Sequence, residues 1–332
     1  MPDTIVSDSQ RNSASKMLQE TWIARYPWMD ALKRNNRITT RAGDRLELKY
    51  VVDDSEGYSF GPESEVEATQ KGEVISQVFD WGAHARDDKQ LGWDMENQGA
   101  VDKLTTGTLR DIYATRVDMG NSKFFESVNL RLWRGAGLPY NSQDAEALDF
   151  LGVEQFVPDD PTIGTIGELS RVTNAFIRSK TLAGSAGESG VWDNDCWELL
   201  LRLNVACSES PRTWGENTAP DFWFSNQAAL TDIVKLAYAQ NTNIGAEVQN
   251  INSVGGVFTI LNSAIQGNRV YALRSDTWRY YKPPGVRSMV ELDIRSQLEK
   301  RMNLKDTIFI WKARGCQVCE WCPQNGLITD AA

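Results

Sequence analysis

The chain has 332 residues, 41% of them hydrophobic and 24% charged, enough to bury one large core or two modest ones, which excludes a chain disordered throughout. A net charge of −10 excludes a protein that wraps nucleic acid in a basic groove, because such binding neutralises phosphates with Lys and Arg. The start, Met1-Pro2-Asp3-Thr4-Ile5-Val6-Ser7-Asp8, lacks the basic and apolar regions of a secretory signal, and no apolar run is long enough to span a bilayer, so manufacture and retention in the cytoplasm are expected.

Residues 16–37 form an amphipathic opening with Met17, Leu18, Trp22, Ile23, Trp28, Met29 and Leu32, interrupted at Pro27, which is expected to end or kink a helix. The segment reads as an N-terminal arm packing against something else. From Asp44 to Val52, Leu46, Leu48 and Tyr50 alternate with Arg45, Glu47 and Lys49, the period of two of a half-buried strand. Gly72 to Ala85 carries Val74, Ile75, Val78, Phe79 and Trp81, residue types that suit a pleated surface. The two segments predict a long hairpin. Its tip, residues 53–73, holds seven carboxylates (Asp53, Asp54, Glu56, Glu63, Glu65, Glu67, Glu73) against the single cation Lys71, so it repels itself and has little to bury.

One long helix is predicted next, from Val101 to Arg134, closing on Arg134-Gly135-Ala136-Gly137. Leu109, Ile112, Tyr113, Val117, Gly120, Phe124, Val128 and Leu132 recur at spacings of three and four, leaving Arg110, Asp111, Arg116, Asp118 and Lys123 off that line. Such a helix would be about 50 Å long, a spine across the subunit. It would also serve as the long core helix of an ordinary α+β enzyme. Hairpin and helix together make an arm that one subunit cannot bury, which points to assembly.

Residues 138–190, with Pro139, Pro158, Pro161 and several glycines, predict irregular structure with few helices. From Asp193 to Cys207 a second amphipathic helix places Trp197, Leu200, Leu201 and Val205 at helical spacing. Pro220 to Asn226 reads as a strand, Gln227 to Gln240 as a helix, and Val257 to Leu261 and Val270 to Leu273 as strands parted by the turn Gln266-Gly267-Asn268. Val290, Leu292 and Ile294 alternate with Glu291, Asp293 and Arg295 in a further strand, and Thr307 to Trp311 supplies a last one. The pattern is mixed α+β without a repeated unit.

Signals of catalysis are missing. His84 is the only histidine, so a Ser/His/Asp triad, a Cys/His pair or a zinc triad would have to be built on this one ring; a structural hydrogen bond is expected. No phosphate-binding loop, dinucleotide fingerprint, nucleophile elbow or EF-hand is present. Cys316, Cys319 and Cys322 have the two-residue gaps of zinc and iron–sulfur loops, but three thiolates are not four, and a fourth ligand would have to be the distant Cys196, Cys207 or His84. Small apolar residues of a buried strand are the simpler reading, and no cofactor is expected. The doublets Asp53-Asp54, Asp87-Asp88 and Asp159-Asp160 beside twelve tryptophans suggest a carbohydrate-active enzyme, except that adjacent strand residues point to opposite faces and cannot span one glycosidic bond.

In its order of segments the chain resembles the major capsid proteins of tailed bacteriophages with the Hong Kong 97 fold. The passage Phe156-Val-Pro-Asp-Asp-Pro-Thr-Ile-Gly-Thr-Ile-Gly167 with Leu169-Ser-Arg171 is similar to a glycine and arginine stretch common in that family, although a second glycine expected near Glu168 is absent. Arg269 to Trp278 resembles the strand and turn near the end of the family's A-domain. The resemblance implies an α+β capsid fold: an N-terminal arm at 1–37, an E-loop hairpin and its base at 38–100, and a P-domain at 101–208 with its spine helix at 101–134. An A-domain at 209–288 and return strands of the P-domain at 289–332 complete it.

What the resemblance implies for function is a structural shell protein that forms pentamers and hexamers of an icosahedral head around double-stranded DNA, assembled in the host cytoplasm and residing in the virion. Expected partners are other copies of itself, packaged DNA without sequence specificity, and portal, scaffold and decoration proteins, with no membrane. Leu46, Leu48, Tyr50, Tyr58, Phe60, Val78, Phe79, Trp22 and Trp28 are the candidate inter-subunit contacts. No Lys, Asn and Glu trio is identifiable for the isopeptide cross-link that some members form, and the arm begins almost at Met1, so a separate scaffold or none is expected. An encapsulin-type compartment on the same fold is the main alternative.

Overall fold

The computed structural model describes residues 20, 26–53, 72–90, 108–135, 150–185, 196–209, 219–231, 253–254, 257–286, 289–298 and 305–331. In chain order these form α1 (Pro27–Arg34), β1 (Ile38–Thr40), β2 (Leu46–Asp53), β3 (Gly72–Phe79), β4 (Gly82–Gln90), α2 (Thr108–Arg134) and α3 (Val153–Phe156). There follow β5 (Thr165–Ile166), β6 (Leu169–Ser170), β7 (Lys180–Ser185), α4 (Cys196–Ser208), β8 (Phe222–Ser225), β9 (Ser253–Val254) and β10 (Val257–Leu261). The rest are β11 (Arg269–Leu273), β12 (Trp278–Lys282), β13 (Val290–Leu298), β14 (Lys305–Cys319) and β15 (Gly326–Ala331).

A five-stranded sheet is organised around β14. Over residues 305–313 one edge of β14 pairs with β13, from Leu298↔Lys305 to Val290↔Ala313. Its other edge takes β4, from Gln90↔Thr307 to Gly82↔Gly315, and then β12, from Tyr281↔Cys316 to Trp278↔Cys319. β1 adds parallel to β12. The strand expected at 307–311 is therefore fifteen residues long and runs through two of the cysteines.

The second sheet has the order β7-β15-β11-β8-β10-β9. β10 and β11, adjacent in sequence across Gly267, are not adjacent in space. β8 lies between them, parallel to β10 and antiparallel to β11. Residues 209–288 thus do not close on themselves: β8, β10 and β11 share a sheet with β7 and β15, while β12 belongs to the other sheet. β7 also puts a regular strand into the 138–190 stretch expected to be irregular.

α2 is 27 residues long, about 40 Å. Gly120, Phe124, Val128 and Leu132 are buried along one line, as their spacing predicts, and Phe125, Asn129 and Trp133 are buried beside them, which widens the stripe. Gly120 is needed because a Cβ there would sit 2.6 Å from the ring of Trp311, so the helix lies directly on β14. The helix ends at Gly135, whose φ of 73° is the left-handed stop and whose N–H returns to the Arg131 carbonyl at 2.7 Å. Residues 101–107, and the side chains of Leu109, Ile112, Tyr113 and Val117, lie outside the described residues.

Pro27 opens a helix, and the apolar segment expected before it lies outside the described residues except for the helical Glu20. With Tyr26 extended before it, the proline occupies the first turn, where its missing N–H costs nothing. The helix α1 buries Trp28, Met29 and Leu32 in the subunit's own core, Trp28 standing edge-on to Phe222, Phe224 and Trp278 at 6.3, 5.7 and 5.6 Å. Trp28 is thereby corrected from a contact with another subunit to a core residue. The stripe of α4 also differs from expectation: Leu200, Leu203 and Cys207 face inward, whereas Leu201 and Val205 are 58% and 54% exposed. Gly326 of β15 meets that inward face, a Cβ there falling 2.5 Å from Leu203.

Candidate assembly surface

β2 and β3 pair antiparallel in register from Leu46↔Phe79 to Asp53↔Gly72, and among the described residues neither has a second strand neighbour. Burial fades along this ribbon. At its root Leu46 is 0% exposed, Phe79 3%, Leu48 7% and Gln77 2%. Further out Tyr50 and Ile75 are half-buried, Tyr50 against Phe176 at 5.4 Å, and Val74 is 61% exposed. Leu46 and Phe79 are therefore core residues that offer almost no free surface to a neighbour, a correction that follows from the root packing on its own subunit, while Leu48 keeps only a small face in a cleft at the root. Tyr50 and Val78 keep part of their surface. Trp22, Tyr58, Phe60 and the acidic tip lie outside the described residues.

The returning limb expected over 72–85 is two strands. It breaks at Asp80 and Trp81, after which β4 leaves the hairpin to join β14. The root is tied down at the break. Arg45 forms ion pairs with Asp80 at 2.8 Å and Glu168 at 3.0 Å, and the Trp81 indole donates to the Gly43 carbonyl at 2.9 Å.

A small ribbon, β5–β6, grips the other side of the root. The Val78 N–H donates to the Gly167 carbonyl at 3.1 Å, and the buried Gln77 amide to the Ile166 carbonyl at 3.3 Å. Ile166↔Leu169 pairing leaves a two-residue turn in which Gly167 and Glu168 both have positive φ, 56° and 67°. That is the pattern of the tight hairpin turn for which glycine is preferred. Glu168 therefore holds, at about 1 kcal/mol of strain, the conformation that a second glycine would adopt freely. Behind the turn, Arg171 is 4% exposed and donates to the carbonyls of Gln155 and Phe156. Burial pulls its pKa below the usual guanidinium value. Arg178 donates in turn to the carbonyls of Arg171 and Val172, both at 2.6 Å. The glycine and arginine stretch is thus a brace for the hairpin.

No known protein-family profile matches the chain, and no curated protein matches it in sequence. Solved structures do match over nearly the whole length. The capsid asymmetric unit of cyanophage A-1(L) is 14% identical with a TM-score of 0.62, covering 89% of this chain and 90% of that one. The capsid of an empty GTA particle is 11% identical, with a TM-score of 0.58 and coverage of 91% and 96%. This is the Hong Kong 97 capsid fold. The SrpI encapsulin complex of Synechococcus elongatus shares the architecture more distantly, at 12% identity and a TM-score of 0.50 over 90% of this chain and 86% of that one.

Within this fold several of the residues that suggested chemistry have structural partners. His84 shares a hydrogen bond between Nε2 and the Ser127 hydroxyl at 2.9 Å and stacks on Phe124 at 5.7 Å, joining β4 to the long helix. Asp159 pairs with Arg269 at 2.6 Å, and Asp160 accepts from the Thr162 N–H at 2.9 Å, so that doublet anchors a turn. Trp28, Trp133, Trp223, Trp278 and Trp311 are buried and cannot form a sugar platform. Cys316, Cys319 and Cys322 lie in the core at 1–2% exposure. Burial pushes the Cys316 thiol up to about 12 and the Cys319 thiol well up, as expected of neutral thiols packed in a core. Among the described residues no group of His, Cys, Asp or Glu is arranged to hold a metal ion.

Arg45, Gln77 and Glu168 were not apparent in the sequence. Arg45 and Glu168 are 123 positions apart, and no local pattern pairs them. Val74 was visible as a strand residue, and the period of two could have marked it as facing away from the core.

Proposed function

We propose that the chain is the major capsid protein of a tailed double-stranded DNA phage, assembling through copies of itself into pentamers and hexamers of an icosahedral head. One observation carries this beyond fold likeness. The β2–β3 ribbon is braced at its root by Gln77, Arg45 and the β5–β6 turn, yet extends as two strands whose outer edges are open among the described residues, with an exposed Val74. A free two-stranded ribbon is marginal in water, and open edges invite pairing, so a fixed root with an uncovered far end suits an element covered by a neighbour.

The role is structural and not enzymatic, and the resident site is the capsid, with assembly in the host cytoplasm. The acidic balance of the chain suits a shell whose contents must slide past it during filling, since a surface that binds phosphates weakly does not hold DNA in place. Portal and scaffold proteins are the further partners. An N-terminal arm at 1–37, E-loop at 38–100, P-domain at 101–208 with return strands at 289–332, and A-domain at 209–288 remain the proposed divisions, with β7 and β15 completing the sheet of the last.

A compartment that houses an enzyme is the second reading, supported by the likeness to the SrpI encapsulin. Electron microscopy and sedimentation of the expressed protein test the shared core of both. Closed shells, tubes or capsomers are expected, and a monodisperse monomer at all concentrations would sink both. Nucleic acid within particles from the native source, against a co-purifying enzyme, separates the two.

A further inference from the structure

Between residues 269 and 331 the chain crosses twice from one large sheet to the other, and the two crossings lie against each other. One runs from β11 to β12 through a turn of helix at Ser275–Thr277, the other from β14 to β15 through a similar turn at Cys322–Gln324. The Glu320 N–H donates to the Thr277 carbonyl at 2.7 Å. The buried Asn325 joins both crossings: its Oδ1 accepts from the Arg274 N–H at 2.9 Å and from the Trp278 indole at 2.8 Å. Its Nδ2 is directed at Thr277 Oγ1 at 2.9 Å, the Trp321 carbonyl at 3.0 Å and Cys319 Sγ at 3.3 Å. Cys319 closes β14 and Cys322 opens the turn that follows; each is 2% exposed, and their thiols share a hydrogen bond. Cys316 stands three places before Cys319 in the regular pairing of β14 with β12, so its side chain leaves the opposite face of the sheet and is outside this pair.

We propose that Cys319 and Cys322 are a reversible modification site: a disulfide between them staples the second crossing when the chain meets a low-molecular-weight disulfide, and opens again in a reducing medium. The two side chains already touch, so the bridge needs no new neighbour. As a thiolate, Cys322 attacks one sulfur of the small disulfide; that S–S bond breaks, one small thiol leaves with the proton, and a mixed disulfide remains on Cys322. Cys319 then gives up its proton and displaces the second small thiol. Two protein thiols are thereby oxidised and one small disulfide is reduced to two thiols. Arg171 sets that order, because its buried guanidinium interacts with Cys322 and can face an anionic sulfur there, while burial keeps Cys319 a neutral thiol. With both sulfurs in the core, the oxidant reaches them only when the crossing opens, so the reaction is slow in the folded chain and faster on warming. It belongs to one subunit and does not depend on assembly.

The test warms the purified full-length chain with excess oxidised glutathione, quenches with acid, and labels free thiols in denaturant with light iodoacetamide. Reduction and heavy iodoacetamide then mark the cysteines that were bridged. The tryptic peptide after Arg314 carries Cys316, Cys319 and Cys322, and fragmentation places each label. Heavy label on Cys319 and Cys322 with light label on Cys316 is expected, and light label on all three when dithiothreitol replaces the oxidant. Before reduction the peptide should be lighter by the two hydrogens lost, with no glutathione attached. Light label on all three after oxidation, heavy label on Cys316, or retained glutathione overturns the proposal. In parallel, oxidation should raise the thermal midpoint of the parent and of Cys316→Ala by on the order of 4 °C, as a short closed loop in a chain of this size allows, and leave Cys319→Ala and Cys322→Ala unmoved. No rise in the parent, or the same rise in either of those two variants, overturns the stapling. If the variants do not fold, the labels on the parent chain decide alone.

Discussion

β14 and β2 sit in one subunit under opposite circumstances. β14 has partners on both edges and buries Phe309, Trp311, Ala313, Cys316, Val318 and Cys319. Among the described residues β2 has one strand partner, and its burial declines from Leu46 through Leu48 to the half-buried Tyr50. The difference shows how a single chain covers one part of itself and leaves another uncovered, as the proposed assembly requires. The gradient matters more than the open end, because a root fixed by its own core presents the far strands at a set angle, so less freedom would be lost on binding the neighbour proposed above.

The comparison breaks most sharply at Trp311. Trp311→Ala removes a fully buried indole and its 2.7 Å hydrogen bond to Asn121, and should cost about 3–5 kcal/mol in urea unfolding of disassembled protein. A loss below about 1 kcal/mol would mean that β14 is not the closed region described here. At the boundary, Glu168→Gly relieves the positive φ and should raise the unfolding free energy by up to about 1 kcal/mol, less whatever the exposed pair with Arg45 contributes. An unchanged or lowered midpoint would place the turn's strain elsewhere.

Acid titration sharpens the closed side further. Burial alone would raise the Asp276 carboxyl, but the hydrogen bond from Arg37 and the charges of Arg274 and Arg37 hold it below its ordinary value. A depressed folded pKa adds stability above the unfolded carboxylate value, and that stability is lost as pH falls through the lower folded value. Asp276→Asn should therefore flatten the acid limb of the stability curve. At neutral pH it should cost well under about 1 kcal/mol, because the side chain is 40% exposed and screened. The smallest effect on the isolated subunit belongs to the open side: Val74→Asp should leave unfolding within about 0.5 kcal/mol of the parent while reducing shells seen by electron microscopy. A large loss of subunit stability would show that Val74 is already covered.

Elements set by local pattern were legible from the residues. Alternation marked β2 and β13, and spacing with Gly135 marked the helix α2 and its stop. One signal misled: apolar residues all around 196–208 allowed Leu201 and Val205 to stand in for Leu203 and Cys207. β4 was invisible as a separate strand running past Ala85, because His84, Arg86, Asp87 and Asp88 lack strand character. β14 holds it in place instead. Strand order was beyond reach, since nothing near Gly267 says that β8 separates β10 from β11. The brace at the root depends on such long-range order, so its residues were legible only as a stretch resembling a family and not as a mechanism.

β14 and β15 lie inside the five- and six-stranded sheets, and both come from residues 305–331. During synthesis β4 must therefore wait for a partner made long after it, and β7 and β11 wait for the strand that joins them. A polypeptide released before residue 305 would have both sheets split along their interiors, with no stable body to carry its hairpin. In the proposed shell, folding would then act as proofreading, since abortive translation products could not compete with finished chains for a place among their copies.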